Sequence, residues 1–296
     1  MTGSSNVGCA SGQNIPLPGR GSAPEKPVAL PEYCGIEPRL APLTIVIATG
    51  KREVQAGRHA NALRDSCLVV IPALNEEATI KDVVLNLRRR GFEHIRVIDN
   101  GSSDATADRA RAAGAEVFLE PKCGYGQACR RGLENIPRGI AWILFCDADG
   151  SDDLDDLDLV IAAAEDADFV LGNRFATKEG REAMTFVQRF GNRLVSKLIA
   201  HRWRVRFADF GPLRLIRRCA LEIIDMRDRG FGWNVVMQIR AVEAHLRIKE
   251  VPVRYRSRQG GCSKISGNIW GAACAACAIL QTVARLYFAP RRAVVL

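Results

Sequence analysis

The sequence is poor in several features, and each shortage removes a class of function. No stretch of about twenty uninterrupted apolar residues occurs, so no ordinary membrane-spanning helix is encoded. The longest apolar run, Ile269 to Leu280, is followed by Gln281 and Arg285. The start, Met1-Thr-Gly-Ser-Ser, has neither the basic opening nor the apolar stretch of a secretory signal, which predicts a cytoplasmic protein. Aromatic residues are only 6%, too few for the stacking platforms that hold single-stranded nucleic acid. The ten cysteines do not fall into metal-ligand spacings: the one C-x-x-C, Cys274 to Cys277, lies in an Ala-rich run with no second pair and no nearby His. A structural zinc needs four ligands, so these thiols read as small apolar fillers in a reducing compartment. Gly124-Tyr-Gly126 lacks the third glycine of G-x-G-x-x-G and the G-K-[ST] of a P-loop. That speaks against a nicotinamide enzyme and a P-loop NTPase and leaves a tight turn before a helix.

What is present is an ordinary globular balance, 47% hydrophobic and 25% charged, which excludes a disordered or collagen-like chain. The net charge of +9 is unevenly spread. Residues 174–296 hold 24 Lys and Arg against 8 Asp and Glu, while residues 1–173 hold 18 against 25. An acidic front and a basic back point to metal or nucleotide chemistry in one half and an anionic partner in the other.

Residues 1–40 are rich in Gly, Pro and Ser without helical or strand period, and residues 1–64 together read as a disordered or weakly structured extension. Within it, Leu43–Ala48 has the composition of a short strand, while Gly50–Arg64 shows no pattern. From Cys67 the texture changes. Cys67–Ile71 is a continuous apolar run, the mark of a buried parallel strand, and Ile95–Ile98, Glu116–Leu119, Ala141–Cys146 and Phe169–Leu171 read as the strands that follow. They alternate with helical patterns at Glu76–Arg90, Ser103–Ala113, Gln127–Asn135 and Leu157–Glu165. This alternation predicts an α/β fold with a mostly parallel sheet and helices on both faces. Further on come helices over Thr185–Ala200, Trp233–Ala244 and Ser266–Phe288, and strands over Pro212–Ile216 and Ile248–Tyr255.

Ligands of open α/β sheets bind beyond the carboxyl ends of the strands. Those ends read Pro72-Ala-Leu-Asn-Glu76-Glu77, Asp99-Asn-Gly-Ser-Ser-Asp104, Lys122-Cys-Gly-Tyr-Gly126 and Asp147-Ala-Asp149-Gly-Ser-Asp152-Asp153. Two carboxylates one residue apart after a buried strand repel each other unless a cation lies between them. Oxygen donors of this kind suit Mg²⁺ or Mn²⁺, which also bind substrate phosphates.

These motifs, with Gly172-Asn-Arg174, resemble glycosyltransferase family 2. Arg258-Gln-Gly-Gly-Cys-Ser-Lys264 narrows the likeness to the branch resembling dolichyl-phosphate (polyprenyl-phosphate) mannosyl- and glucosyltransferases. The match runs from about Cys67 to Lys264. The resemblance implies a GT-A type, Rossmann-like domain over residues 65–260. In the C-terminal helical segment over 261–296, Trp270, Ile279, Leu280 and Phe288 with Arg285, Arg291 and Arg292 suit a membrane interface, with packing on the domain or at a homodimer seam as the alternative. It implies that Pro72, Leu74 and Glu76 line a nucleotide pocket and that Asp99 and Asn100 contact base or ribose. Asp147 would lie by the sugar nucleotide and metal, Asp149 would ligate Mg²⁺ or Mn²⁺, and Arg174, Arg258 and Lys264 would meet the diphosphate or the acceptor phosphate. The sequence departs from the family pattern at Ser151, where Gln is frequent, at Asn100, where Asp is common, and near Val236, where an acid is frequent.

The implied reaction is inverting transfer of glucose or mannose from UDP-glucose or GDP-mannose to a polyprenyl phosphate. It would occur on the inner face of the membrane by a peripherally attached protein, with a homo-oligomer as a further option and no nucleic-acid partner. A family 2 enzyme with a soluble or polysaccharide acceptor is the alternative. Such an enzyme needs a carboxylate base near the acceptor, for which Asp209 is the obvious candidate.

Overall fold

The computed structural model describes residues 46–47, 56–256 and 269–289. In chain order the first elements are β1 (Val46–Ile47), α1 (Ala56–Asp65), β2 (Cys67–Ala73), α2 (Ile80–Arg89), β3 (His94–Asp99), α3 (Thr106–Ala112), β4 (Glu116–Leu119) and α4 (Tyr125–Gly132). Then come β5 (Trp142–Phe145), α5 (Leu157–Ala163), β6 (Phe169–Asn173), α6 (Lys178–Ala183) and α7 (Phe186–Trp203). The chain continues through β7 (Arg214–Arg217), α8 (Arg218–Ile224), α9 (Trp233–Glu243), β8 (Ile248–Pro252) and α10 (Ile269–Phe288).

The central strands read as unbroken apolar runs because both of their faces are buried. Leu68 and Val70 of β2, with Ile143 and Phe145 of β5, face a core shared with α4, α7 and α9. Val69 and Ile71, with Leu144 and Cys146, face the opposite core, filled by α2 and α5. Trp233 of α9 is fully buried and meets Phe145 edge-on at 6.3 Å; burying one such aromatic contributes about 3 kcal/mol. In α2 the buried residues are Ile80, Val83, Val84 and Leu87, the i, i+3, i+4, i+7 set of an amphipathic helix.

The sheet has eight strands in the order β1-β8-β6-β7-β5-β2-β3-β4. Every neighbouring pair is parallel except those of β7, which runs antiparallel between β5 and β6. β1 falls within the expected Leu43–Ala48 segment and pairs with β8. Sequence alone predicts no element over Gly50–Arg64, and the structure corrects this with α1. That helix buries Leu63, packs Ala60 on the same core and leaves Arg64 half-buried, its Nη2 bonded to Asp158 of α5, so its apolar stripe is too thin to show a period.

α10 lies against α7 and α9. Val283 and Leu286 are buried, Ile279, Leu280 and Tyr287 pack on the same core, and the Tyr287 carbonyl accepts a bond from Arg202 Nε at 3.2 Å. Among the large apolar side chains of its described half, Phe288 is the one that points outward.

Candidate active site

The strand order reverses between β2 and β5: β3 and β4 extend the sheet on one side, β7, β6 and β8 on the other. The crevice over such a reversal is where open α/β sheets hold ligands. The structure brings the loops after β2, β3 and β5 to this place.

The first two motifs form one interlocked unit. Asn75 adopts a left-handed backbone with φ 49°, a conformation that Asn tolerates better than most residues. Its side-chain oxygen accepts from Ser103 N at 2.7 Å, and its own N–H donates to Ser102 Oγ at 2.8 Å. Glu76 N donates to Thr106 Oγ1 at 2.7 Å. Ser102, Ser103 and Thr106 thus hold the Pro72–Glu76 turn in shape, leaving the side chains of Pro72, Leu74 and Glu76 half-buried along the crevice.

Asp99 is buried at the end of β3 and accepts from Ser102 N at 3.1 Å. Asn100 has a structural task that sequence reasoning does not reveal. Its Nδ2 donates to the carbonyls of Glu120 and Lys122 at 2.9 and 2.8 Å, and its Oδ1 accepts from Gly124 N at 2.8 Å. Both ends of the amide are therefore engaged with the loop before α4. Gly126, next along, could not carry a side chain, because a Cβ there would lie 2.7 Å from the Arg229 carbonyl carbon. The Gly-Tyr-Gly segment is a packed helix start, in line with its turn reading.

After β5, Asp147 is half-buried and Asp149 is 2% exposed. Ser151 donates to Asp149 Oδ1 twice, from its N–H at 3.0 Å and its hydroxyl at 2.6 Å. Asp152 is buried and accepts from Asp147 N at 3.1 Å. Burial pushes its pKa up to about 7, and the nearby Asp149 carboxylate adds to the rise. Thr79 anchors the loop to the start of α2 by donating to the Ala148 carbonyl at 2.8 Å. Among the described residues no group of three or more His, Cys, Asp or Glu side chains is arranged to hold a metal by itself. The donor set nevertheless fits a hard cation: magnesium-like ions are bound by one or two carboxylates with water and substrate phosphate filling the remaining positions.

Arg174, just after β6, is buried against Asp209. Its Nε and Nη2 reach the two carboxylate oxygens at 2.7 and 2.8 Å, and its backbone N–H adds a third bond at 3.0 Å. Asn192 of α7 supplies a fourth at 2.8 Å. Burial works against the charge on both groups, but their mutual attraction prevails: the arginine pKa is raised and the Asp209 pKa lowered. Asp209 is 1% exposed. With Phe210 N adding a fifth donor at 2.7 Å, this buried, ionised carboxylate is a poor proton acceptor, which speaks against Asp209 as the general base expected for a soluble acceptor. The Arg174 guanidinium also lies over the Tyr255 ring at 4.8 Å, and Tyr255 bridges to the backbone of Asp152. The Arg174–Asp209 pair is thereby joined to the acidic loop. Arg258 and Lys264 lie outside the described residues.

Sequence reasoning missed three further roles. Ser151 orients Asp149. Arg254 and Arg256 bind the acids that follow it: Arg254 Nη2 meets Asp156 Oδ1 at 2.9 Å, and Arg256 Nη2 meets Asp153 Oδ2 at 2.8 Å. Their signal in the sequence was the alternation of Arg254 and Arg256, complementary in charge to the aspartates at 152, 153, 155 and 156. Arg214 reads as a surface or phosphate-contacting charge, but it is 1% exposed, donating to the Gly211 and Asn234 carbonyls. Burial lowers its pKa to about 10.

The sheet order and the acid-bearing reversal point define an α/β transferase of the GT-A type, and solved structures share this fold. Glucosyl-3-phosphoglycerate synthase from Mycobacterium tuberculosis, in complex with Mn²⁺, UDP and glucosyl-3-phosphoglycerate, aligns with a TM-score of 0.65 over 83% of this chain and 89% of that one, at 19% identity. The glycosyl transferase family 2 model matches residues 68–223, and the chain belongs to that family. An uncharacterized glycosyltransferase of Mycobacterium tuberculosis is 36% identical over 208 residues, 70% of this chain and 93% of its own length. The undecaprenyl-phosphate mannosyltransferase of Micrococcus luteus is 30% identical over 225 residues, 70% of this chain and 90% of its own.

Proposed function

We propose that this family 2 glycosyltransferase moves glucose or mannose, with inversion, from UDP-glucose or GDP-mannose to a polyprenyl phosphate, attached peripherally to the inner face of the membrane. The observation that carries the reading is the state of Asp209. A hydroxyl acceptor needs a base to take its proton, and the carboxylate suited to that work is locked into an ion pair. A phosphate monoester has a second pKa of about 6 and brings its own anionic oxygen, so it attacks without that base. The relative that acts on undecaprenyl phosphate, similar over most of its length, supports the same acceptor class.

In this reading Pro72, Leu74, Glu76 and Asp99 line the nucleotide pocket, and Asp147 and Asp149 hold Mg²⁺ or Mn²⁺. The cation supplies neutralising charge to the departing diphosphate. Ser151 holds the Asp149 carboxylate in one orientation, so the site needs less rearrangement when donor binds. Arg174, held by Asp209, braces the end of β6 beside the acidic loop, while Arg258 and Lys264 meet the phosphates directly. The catalytic unit is residues 65–260, with 261–296 as a C-terminal helical segment.

The test is transfer by the purified full chain from radiolabelled UDP-glucose and GDP-mannose, with Mg²⁺ or Mn²⁺. One arm contains a polyprenyl phosphate in detergent and the other phosphoglyceric acid. The expected product partitions into organic solvent. Label transferred only to phosphoglyceric acid would overturn the lipid acceptor and leave the transferase assignment standing.

A further inference from the structure

α7 differs from the other helices in the chemistry of its outer face. From Ala183 to Arg206 the chain contains no Asp or Glu, but it contains Arg189, Arg193, Lys197, Arg202, Arg204 and Arg206. The inner stripe is accounted for: Val195, Ile199 and Trp203 are buried, Asn192 bonds to Asp209, and Ser196 bonds to the Phe207 carbonyl at 2.5 Å. The outer side of the first turns is apolar. Phe186 is 73% exposed, Phe190 59% and Val187 55%. The rings of Phe186 and Phe190 stack with centroids 6.4 Å apart. Water-facing apolar side chains grouped in this way mark an interaction surface.

We propose that the amino-terminal half of α7 is the surface by which this protein docks on an anionic lipid bilayer. Large apolar side chains ringed by cations, on a helix without acids, match the requirements of an interfacial helix: the rings enter the boundary between headgroups and acyl chains, and the cations meet anionic headgroups. Charge also decides against a second copy of the chain as the occupant. A two-fold contact would set the same patch against itself and bring Arg189, Arg193 and Lys197 of each copy together with no acid on the helix to offset them.

The patch is firmly connected to the crevice. The first turn of α7 is fixed by a reciprocal capping box between Thr185 and Gln188. Two residues after Phe190, Asn192 is bonded to the carboxylate that holds Arg174 at the end of β6. A bilayer under Phe186 and Phe190 therefore lies at the same edge of the sheet as the acidic loop. There it would present a headgroup-level phosphate to the site; this last consequence, unlike the docking itself, rests on the polyprenyl phosphate reading. Among the described residues no helix is long and apolar enough to cross a membrane, so the contact is peripheral.

The test is flotation of the full-length chain with vesicles of equal parts phosphatidylcholine and phosphatidylglycerol, against vesicles of phosphatidylcholine alone. The wild type is expected to float with the anionic vesicles and to bind less at high salt. Phe186→Ser combined with Phe190→Ser should lower the partition coefficient about tenfold or more. Phe288→Ser, which removes an exposed ring at the end of α10, should leave it unchanged. Far-ultraviolet circular dichroism and the melting temperature serve as the folding control and should be equal in all three proteins. Equal flotation of the double variant and wild type overturns the proposal. So does a wild-type dimer, seen by light scattering, that the double variant abolishes while flotation is absent from both. Lost flotation in the double variant, with no transfer to polyprenyl phosphate even by wild type, would uphold the docking surface while overturning the acceptor.

Discussion

Asp149 and Asp209 are the same residue at similar depth, yet their surroundings give them opposite capacities. Asp149 is buried at a loop edge, with one oxygen held by Ser151 and two further aspartates, Asp147 and Asp152, nearby. Asp209 is buried with a guanidinium across both of its oxygens, two backbone N–H groups and an amide around it. The first arrangement concentrates negative charge at the crevice and suits an incoming cation. The second cancels its charge internally and serves the framework. The comparison teaches that a carboxylate's role is read from its counter-charges, since burial alone leaves these two alike.

The strongest way to break the comparison is to neutralise its metal-facing half. Asn at position 149 can still accept from Ser151, so the fold should survive while metal affinity is lost. Asp149→Asn is expected to cut sugar transfer by about 10³-fold or more, with an unchanged melting temperature; an active variant, or wild type active in excess chelator, would refute the metal assignment. The reverse pattern is expected at the other centre. Arg174→Ala leaves Asp209 buried without its cation and should destabilise the chain by about 3–5 kcal/mol in denaturant unfolding. Arg174→Leu with Asp209→Leu should recover much of that loss, and a full double-mutant cycle gives the coupling directly.

Glu250 sharpens the contrast through pH. It is buried on β8, accepts from Ala208 N at 2.9 Å beside Asp209, and pairs with no guanidinium among the described residues; burial pushes its pKa from 4.5 up to about 7. The unfolded chain therefore releases this proton first, and its contribution to stability falls as pH rises from about 4.5 through about 7. Glu250→Gln should remove that slope, raising stability above neutrality by roughly 1–3 kcal/mol and changing little below pH 4.5. Equilibrium unfolding across this range checks it. The smallest effect is expected from Ser151→Ala, which removes one of two bonds orienting Asp149 and should weaken metal-dependent activity by a factor of roughly five to ten, seen mainly as a higher metal requirement.

Much of this molecule was legible in the order of its residues. β2 and β5 announced themselves because burial on two faces leaves no polar alternation, and α2 because one stripe of four residues carries its packing. The acidic loops were legible because they follow those strands directly. What escaped was whatever depends on a partner distant in sequence. Nothing near Arg174 indicates Asp209, thirty-five residues later, which the antiparallel return of β7 brings alongside β6. Arg214 looked like surface charge because its satisfying groups are backbone carbonyls, and these have no signature in composition. α1 escaped because a helix that buries one large side chain leaves almost no period to detect.

The Asn100 clamp constrains what position 100 can hold. Sequences of the pattern it resembles commonly have Asp here, and the two residues differ by an amine for an oxygen. In this chain the amine is what the carbonyls of Glu120 and Lys122 bond to. A change to Asp alone would set a carboxylate oxygen against two carbonyl oxygens in a buried place, an unfavourable meeting of acceptors. The loop before α4 and residue 100 are therefore coupled: an acid at this position calls for a loop whose carbonyls point elsewhere.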